Sequence, residues 1–365
     1  MALNPREFWQ RVSDGIAVQD LWAQLRADAH SSYQFYYKEV DHEPLERESG
    51  WKRFWRIAGG LFWAMMIKLS PGRRVLLLIA LVLLLFPVVR LNVGDHEFEA
   101  GPLSFWGGAV LVVLLALELS DRVTMKRDLE IAREIQSWLM PSKPPSVPGV
   151  DIAFATRPAN TVAGDYYDAF FRPNGRLLLV VADVAGKSVP AALLTATLQA
   201  SLRTLAALDS SLTELVSQVN RYASEQSLQG RRFTTAFLAE LEPATGVLTY
   251  VNAGHNWPVL QHTSGATERL ETGGLPLGIN PASSYQSGFA TIKSGDLLLI
   301  FTDGLVEAED DKANEYGEQR MLEILEKLQS ASASEAVKHI LSAVDAFVGL
   351  TRQHDDITCL VLRTT

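Results

Sequence analysis

The chain has 365 residues, 47% hydrophobic and only 21% charged, a balance that excludes a disordered polymer and leaves room for a large domain with an accessory region, or two modest domains. Its formal charge of -9 argues against a general nucleic-acid binder, whose phosphate affinity comes largely from lysine and arginine. The single cysteine, Cys359, rules out an intramolecular disulfide; inside the apolar run Ile357 to Leu362 it reads as a buried structural thiol rather than a nucleophile.

Residues 1–50 mix charges with aromatics such as Phe8, Trp9, Trp22, Tyr33, Phe35, Tyr36 and Tyr37, and they lack the basic start, short apolar core and small-residue cleavage site of a secretory signal. Residues 1–70 therefore read as a small cytosolic helical region of unassigned role. Two apolar stretches follow, Val75 to Val89 and Leu103 to Leu117, each shorter than the roughly 20 residues that span a hydrocarbon core. The first reaches Val93 if Arg90 extends its charge to the interface, and the second gains Gly101, Pro102, Glu118 and Leu119. Lys68, Arg73 and Arg74 precede the pair and Arg122, Lys126 and Arg127 follow it, while the connection carries Asp95, Glu97 and Glu99. The positive-inside rule then places both ends in the cytoplasm, with Trp51, Trp55, Phe62 and Trp63 as an interfacial belt. Residues 71–119 are thus predicted to form a two-helix transmembrane hairpin; the competing readings are a buried helical hairpin in a soluble domain and a pair of interfacial helices.

From Ser120 to Met140 the sequence turns polar, with Val123, Leu129, Ile131, Ile135 and Leu139 recurring on one helical face. This predicts a juxtamembrane helix that Pro141, Pro144, Pro145 and Pro148 close, so 120–148 is a linker and 149–365 a separate domain.

Beyond Gly149, short apolar runs alternate with turn residues and a few helical stretches, an α+β pattern. The run Leu177 to Ala182 ends in Asp183; Leu297 to Phe301 is followed, one residue on, by Asp303; Asp355 and Asp356 precede Ile357 to Leu362. Aspartate is disfavoured in strands and costly to bury unpaired, and any one of these alone would be a turn residue. If the strand ends converge, several carboxylates gather where only a cation relieves their repulsion. Oxygen-rich, sulfur-free ligation favours Mg²⁺ or Mn²⁺ over zinc. His255, at the turn after Leu248 to Val251, reads as a loop-holding residue. Ser188 is a candidate N-cap and Pro190 suits a first turn, so a helix through Leu205 starts beside Asp183.

These segments together resemble a known family, the bacterial protein phosphatase 2C-like (PPM) enzymes of the SpoIIE type, in particular those that regulate sigma-factor partner switching. EIAREIQSWLMP (Glu130 to Pro141) resembles the family's leading helix, PANTVAGDYYD (Pro158 to Asp168) its first acidic motif, and DVAGKSVPAAL (Asp183 to Leu193) its second. Phe233-Thr234-Thr235, Asn252 to His255, GLPLG (Gly274 to Gly278), Gly295-Asp296, TDGLVE (Thr302 to Glu307) and DDIT (Asp355 to Thr358) follow in the family's order. The likeness covers residues 130–363. It departs at Ala163, where a glycine is frequent, and at Ser188, and neither change removes a carboxylate.

The resemblance implies an αββα sandwich of two antiparallel sheets flanked by helices, with two Mn²⁺ or Mg²⁺ ions at one edge. Asp165, Asp183, Asp303 and Asp355 match the acidic ligands, Val184 matches the residue offering a backbone carbonyl, and Asp356 is less clearly placed. It further implies hydrolysis of phosphoserine or phosphothreonine by a water the two ions activate, without a cysteine nucleophile. The implied substrate is a protein, typically a phosphorylated antagonist of an anti-sigma factor. Regulation through a dimerising linker helix that moves against the helix at Pro190 is a further expectation. A catalytically silent, membrane-tethered scaffold and a small-phosphoester hydrolase are the competing functions.

Overall fold

The computed structural model describes residues 50–86, 89–93, 96–100, 103–186, 189–227 and 232–365. The helical reading of residues 1–49 and the N-cap reading of Ser188 lie outside them. The chain divides into two compact units, Met1–Val123 and Thr124–Thr365.

In the first unit, α1 (Gly50–Lys68) is followed by α2 (Pro71–Leu85), which starts with a proline in its first turn after Ser70 in an extended conformation. The sequence reading that carries this helix on to Val93 is corrected. Phe86 leaves the helical region at φ -114°, ψ 72°, consistent with its place in the sequence before a proline, where helical backbone is disfavoured. Val89–Val93 is instead strand β1, paired antiparallel with β2 (His96–Ala100) in a register that sets Arg90 opposite Glu99. Fifteen helical residues reach only about 22 Å, short of the roughly 30 Å of a bilayer core.

The second apolar stretch and the linker are likewise one element rather than two, α3 (Leu103–Leu139). No glycine or proline stands between Gly108 and Pro141 to interrupt it. Gly107 lets α2 approach closely, since a Cβ there would lie 3.0 Å from the Ala80 carbonyl oxygen and 3.0 Å from Leu84 Cγ. Arg73 of α2 pairs with Glu118 at 3.0 Å and Asp121 at 2.7 Å, which balances the acid that interrupts the apolar stretch. Among the described residues one helix, α3, is long and apolar enough to cross a membrane, and 6% of its most apolar window is buried. A two-helix span is therefore not supported by length.

The second unit is built on two sheets. The first runs β10 (Gly273–Gly274), β7 (Val247–Ala253), β6 (Thr234–Glu242), β5 (Leu177–Val184), β4 (Asp165–Phe171), with β11 (Gly288–Thr291) also on β7. The second runs β3 (Val150–Arg157), β13 (Ile357–Thr364), β12 (Leu297–Phe301), β8 (Val259–Gln261), β9 (Thr267–Arg269). The ladders are antiparallel except for the short parallel pairing of β10 with β7. Side-chain alternation explains the continuous apolar strands. Leu177, Leu179 and Val181 of β5 join Leu298, Ile300, Leu360 and Leu362 in the core between sheets. Leu178, Val180 and Ala182 turn outward under α4 (Val189–Ala206) and α5 (Leu212–Glu225). On the far side α6 (Glu318–Glu326) and α7 (Ala333–Val348) cover Leu297, Leu299, Phe301, Cys359 and Val361. The result is the expected αββα sandwich.

The helices are fixed by local chemistry. Capping boxes at Ser211/Glu214 and Ser332/Glu335 start α5 and α7. The buried guanidinium of Arg172 pairs with Glu240 and donates to the carbonyls of Ala206 (3.1 Å), Leu208 and Ser210 (2.9 Å each), satisfying the open end of α4.

Candidate active site

The sandwich brings four strand ends to one edge. Asp165 opens β4 and lies directly opposite Asp183, next to last in β5. In the other sheet Phe301 pairs with Cys359, so the turn after β12, with Asp303, sits beside the approach to β13, with Asp355 and Asp356. Three well-separated stretches of chain thus meet through strand register.

Each acid has a definite setting. The Asp165 carboxylate is 2% exposed and accepts the Thr302 hydroxyl at 2.9 Å. Thr302 donates its backbone N–H to the Thr358 carbonyl (3.0 Å), and its hydroxyl accepts from Thr358 N–H (2.9 Å), so this pair ties the second sheet to an acid of the first. Asp303 begins a 3₁₀ turn through Leu305, its carbonyl accepting from Val306 (2.9 Å) and Glu307 (2.8 Å). Gly304 is required there, because a Cβ would lie 2.1 Å from the Asp356 carbonyl oxygen. The side chain of Asp355 accepts from Asp356 N–H at 3.0 Å, and Gln353 holds the Asp355 carbonyl at 2.6 Å. Asp356 receives the backbone N–H groups of Ala159 and Gly164, both at 2.6 Å. The Val184 carbonyl faces Gly164, whose missing Cβ would lie 3.2 Å from it.

Electrostatics mark these groups as one cluster. Burial, then the charges of Asp303, Asp355 and Asp356, pushes the Asp183 carboxyl up to about 7. Burial and the neighbouring Asp183 raise Asp165 well above the usual carboxylate range. Asp356 is also raised, by burial first and by the charge of Asp355, against the opposing effect of the backbone N–H groups of Ala159, Gly164 and Asp165. Among the described residues no three acidic, histidine or cysteine side chains close on one point at ligand spacing. The donor set is nevertheless all oxygen, partly buried and rich in negative charge, which fits a hard divalent cation such as Mg²⁺ or Mn²⁺.

Other residues singled out by the sequence lie elsewhere. His255 is buried, its ring Nδ1 2.9 Å from the Thr235 hydroxyl and its backbone N–H donating to Asn252 Oδ1 at 2.7 Å. Burial pushes its imidazole down to about 4, so at neutral pH it is an uncharged brace behind Asp183, whose ladder partner is Thr235. Burial pushes the Cys359 thiol up to about 12, which fits a structural role. Asp168, from the same motif as Asp165, is an anchor for α4. It is fully buried, takes two 2.7 Å bonds from Arg203 and accepts the Tyr166 hydroxyl at 2.7 Å. Thr302 and Thr358 escaped the sequence reading, although both sit in motifs it quoted; hydroxyl residues flanking an acidic turn were the available signal.

Comparison with known proteins bears on this arrangement. The family described as Stage II sporulation protein E (SpoIIE) matches residues 173–365. Phosphoserine phosphatase RsbU of Bacillus subtilis is 30% identical over 241 residues, 66% of this chain and 70% of that protein. Protein IcfG of Synechocystis is 26% identical over 303 residues, 75% of this chain, which spans only 48% of IcfG's length. Among solved structures, the SiaA-PP2C domain of Pseudomonas aeruginosa superposes with a TM-score of 0.60 over 67% of this chain and 99% of that domain, at 19% identity, a likeness of fold.

Proposed function

Because the chain belongs to the SpoIIE family of PP2C-like phosphatases, we propose that residues 149–365 form a metal-dependent phosphatase that removes phosphate from phosphoserine or phosphothreonine of a protein in bacterial signalling. The observation that most supports this is the acidic edge itself, where Asp165, Asp183, Asp303 and Asp355 share one electrostatic field at the open end of the sandwich. The name of RsbU, a phosphoserine phosphatase, points the same way.

Asp165, Asp183, Asp303, Asp355 and the Val184 carbonyl would hold two Mn²⁺ or Mg²⁺ ions. When bound, such ions supply an acidified water able to attack phosphorus near neutral pH, and positive charge for the phosphoryl oxygens. The chain's own residues set the conditions. Thr302 fixes the orientation of Asp165, the turn Asp303–Leu305 presents Asp303, and the Thr302–Thr358 link keeps the two sheets' acids in register. Burial of Asp165 excludes water from its back.

The substrate suggested by the family resemblance is a phosphorylated antagonist of an anti-sigma factor. Membrane attachment through residues 71–119, with the phosphatase unit on the cytoplasmic side, is proposed from the flanking basic residues and the apolar part of α3. Residues 120–148 serve as linker, and a homodimer through this helix is proposed from Ile131, Ile135 and Leu139, which lie four residues apart on one side of it and are exposed. The test is phosphate release from a phosphoserine protein with added Mn²⁺, comparing wild type with Asp183→Ala and Asp303→Ala. Loss in both variants is expected. Equal release from all three would sink the assignment, and no release from any of them would favour a silent scaffold.

A further inference from the structure

The segment 158–164, which delivers Asp165 to the edge, has no regular secondary structure. Yet Val162 and Ala163 are buried, and buried backbone groups need partners. The partners are side chains brought in from distant parts of the chain. Asp356 accepts from Ala159 N–H with one carboxylate oxygen and from Gly164 N–H with the other, each at 2.6 Å. The Gln136 side chain, on α3, donates to the Ala163 carbonyl at 2.7 Å and accepts from its N–H at 3.0 Å. The Thr195 hydroxyl, on α4, donates to the Gly164 carbonyl at 2.6 Å.

We propose that Asp356 is a positioning residue, not a metal ligand: its carboxylate bridges both ends of Ala159–Gly164 and so fixes where Asp165 stands. Both of its oxygens are committed to backbone donors in short, charge-assisted bonds. Its own backbone is wedged against the other acidic turn, because its carbonyl oxygen occupies the space a Cβ on Gly304 would need. Asp356 therefore joins the loop before Asp165 to the turn that carries Asp303. Its neighbour Asp355 is left as the ligand of the pair. The effect on metal affinity rests on the metal-dependent reading above; the clamp rests on the hydrogen bonds alone.

Asp356→Asn is the informative change, because an amide accepts one of the two N–H groups and sets its own NH₂ against the other. Gln136→Ala removes the second hold on the segment without touching an acidic group. Hydrogen exchange on the full chain in detergent, followed in peptides covering 158–165, should speed up at least about tenfold in both variants, while a peptide from β5 stays as protected as in wild type. The Mn²⁺ concentration giving half-maximal thermal stabilisation should rise about 10- to 100-fold in Asp356→Asn, the usual cost of losing a group that orients ligands. Saturating Mn²⁺ should then restore its turnover of a phosphoserine protein, which it does not do for Asp183→Ala. Unchanged exchange over 158–165 in Asp356→Asn overturns the clamp. Turnover that stays lost at saturating Mn²⁺, with β5 protected, makes Asp356 a direct participant and overturns the positioning role. Wild type showing no Mn²⁺-linked shift refutes the metal reading instead, and the exchange result still decides the clamp.

Discussion

Replacing Gly304 by alanine tests whether the two acidic turns depend on direct backbone contact. The added Cβ would stand 2.1 Å from the Asp356 carbonyl oxygen, 2.9 Å from its carbonyl carbon and 3.4 Å from that of Asp355. Reaching even a 3.0 Å contact requires the Asp303 turn and the Asp355–Asp356 segment to part by about 0.9 Å, with backbone on both sides and no flexible side chain to yield. Overpacking of this kind costs about 1–3 kcal/mol, which a domain of ordinary stability survives. A displacement near 1 Å at reacting groups costs on the order of 10²-fold in rate. Gly246→Ala is the control. Its Cβ would lie 2.3 Å from the Ile292 carbonyl oxygen with φ at +70°, a comparable clash in the turn joining β6 to β7. That turn follows Glu242, roughly 23 Å along β6 from Thr235, the ladder partner of Asp183. Urea unfolding should show both variants destabilised. Phosphate release per folded molecule should fall about 100-fold in Gly304→Ala and stay near wild type in Gly246→Ala. Wild-type turnover in Gly304→Ala, or equal losses in the two, would refute the contact argument.

Arg172→Ala leaves Glu240 buried without its principal partner and strips the carbonyls ending α4, so a loss of about 3–5 kcal/mol is expected in the unfolding free energy measured by urea titration; Glu240→Leu added to it should recover part of that. His255 gives a pH signature. With the folded imidazole near 4 and the unfolded near 6.5, the unfolded chain takes up a proton that the folded one refuses, so stability falls as pH drops through this window. The loss amounts to about 3 kcal/mol by pH 4, and His255→Gln should flatten that part of the stability curve; an unchanged slope counts against a neutral buried ring. Cys359, with its thiol raised to about 12, should resist iodoacetamide at pH 8 until urea unfolds the domain, and labelling of the native protein would contradict its burial.

Much of the phosphatase unit was legible before folding, because hydrophobic periodicity and turn chemistry are local. Leu297 to Phe301 is a strand with the bounds read from its apolar run, and the helix read through Leu205 beside Asp183 ends one residue later. Asp183 and Asp303 stood out as acids where strand formers end, and the ordered motifs identified the fold. The end of α2 was also written locally, in Pro87, but the length of the apolar run masked it. The continuity of α3 was hidden for the opposite reason, since a change from apolar to polar composition marks an environment and does not break a helix.

Which polar group meets which was not legible. Asp168 and Asp165 stand three residues apart in one motif, and strand alternation sends one to the acidic edge and the other under α4 to Arg203. Asp355 and Asp356 are adjacent and chemically identical, yet Asp356 alone meets the amides of Ala159 and Gly164, nearly two hundred residues earlier. The sequence by itself determined the elements, the core pattern and the pool of carboxylates. Only the tertiary structure decided their division of labour, because the cost of burying a charge is set by the partners that packing brings to it, and those come from elsewhere in the chain.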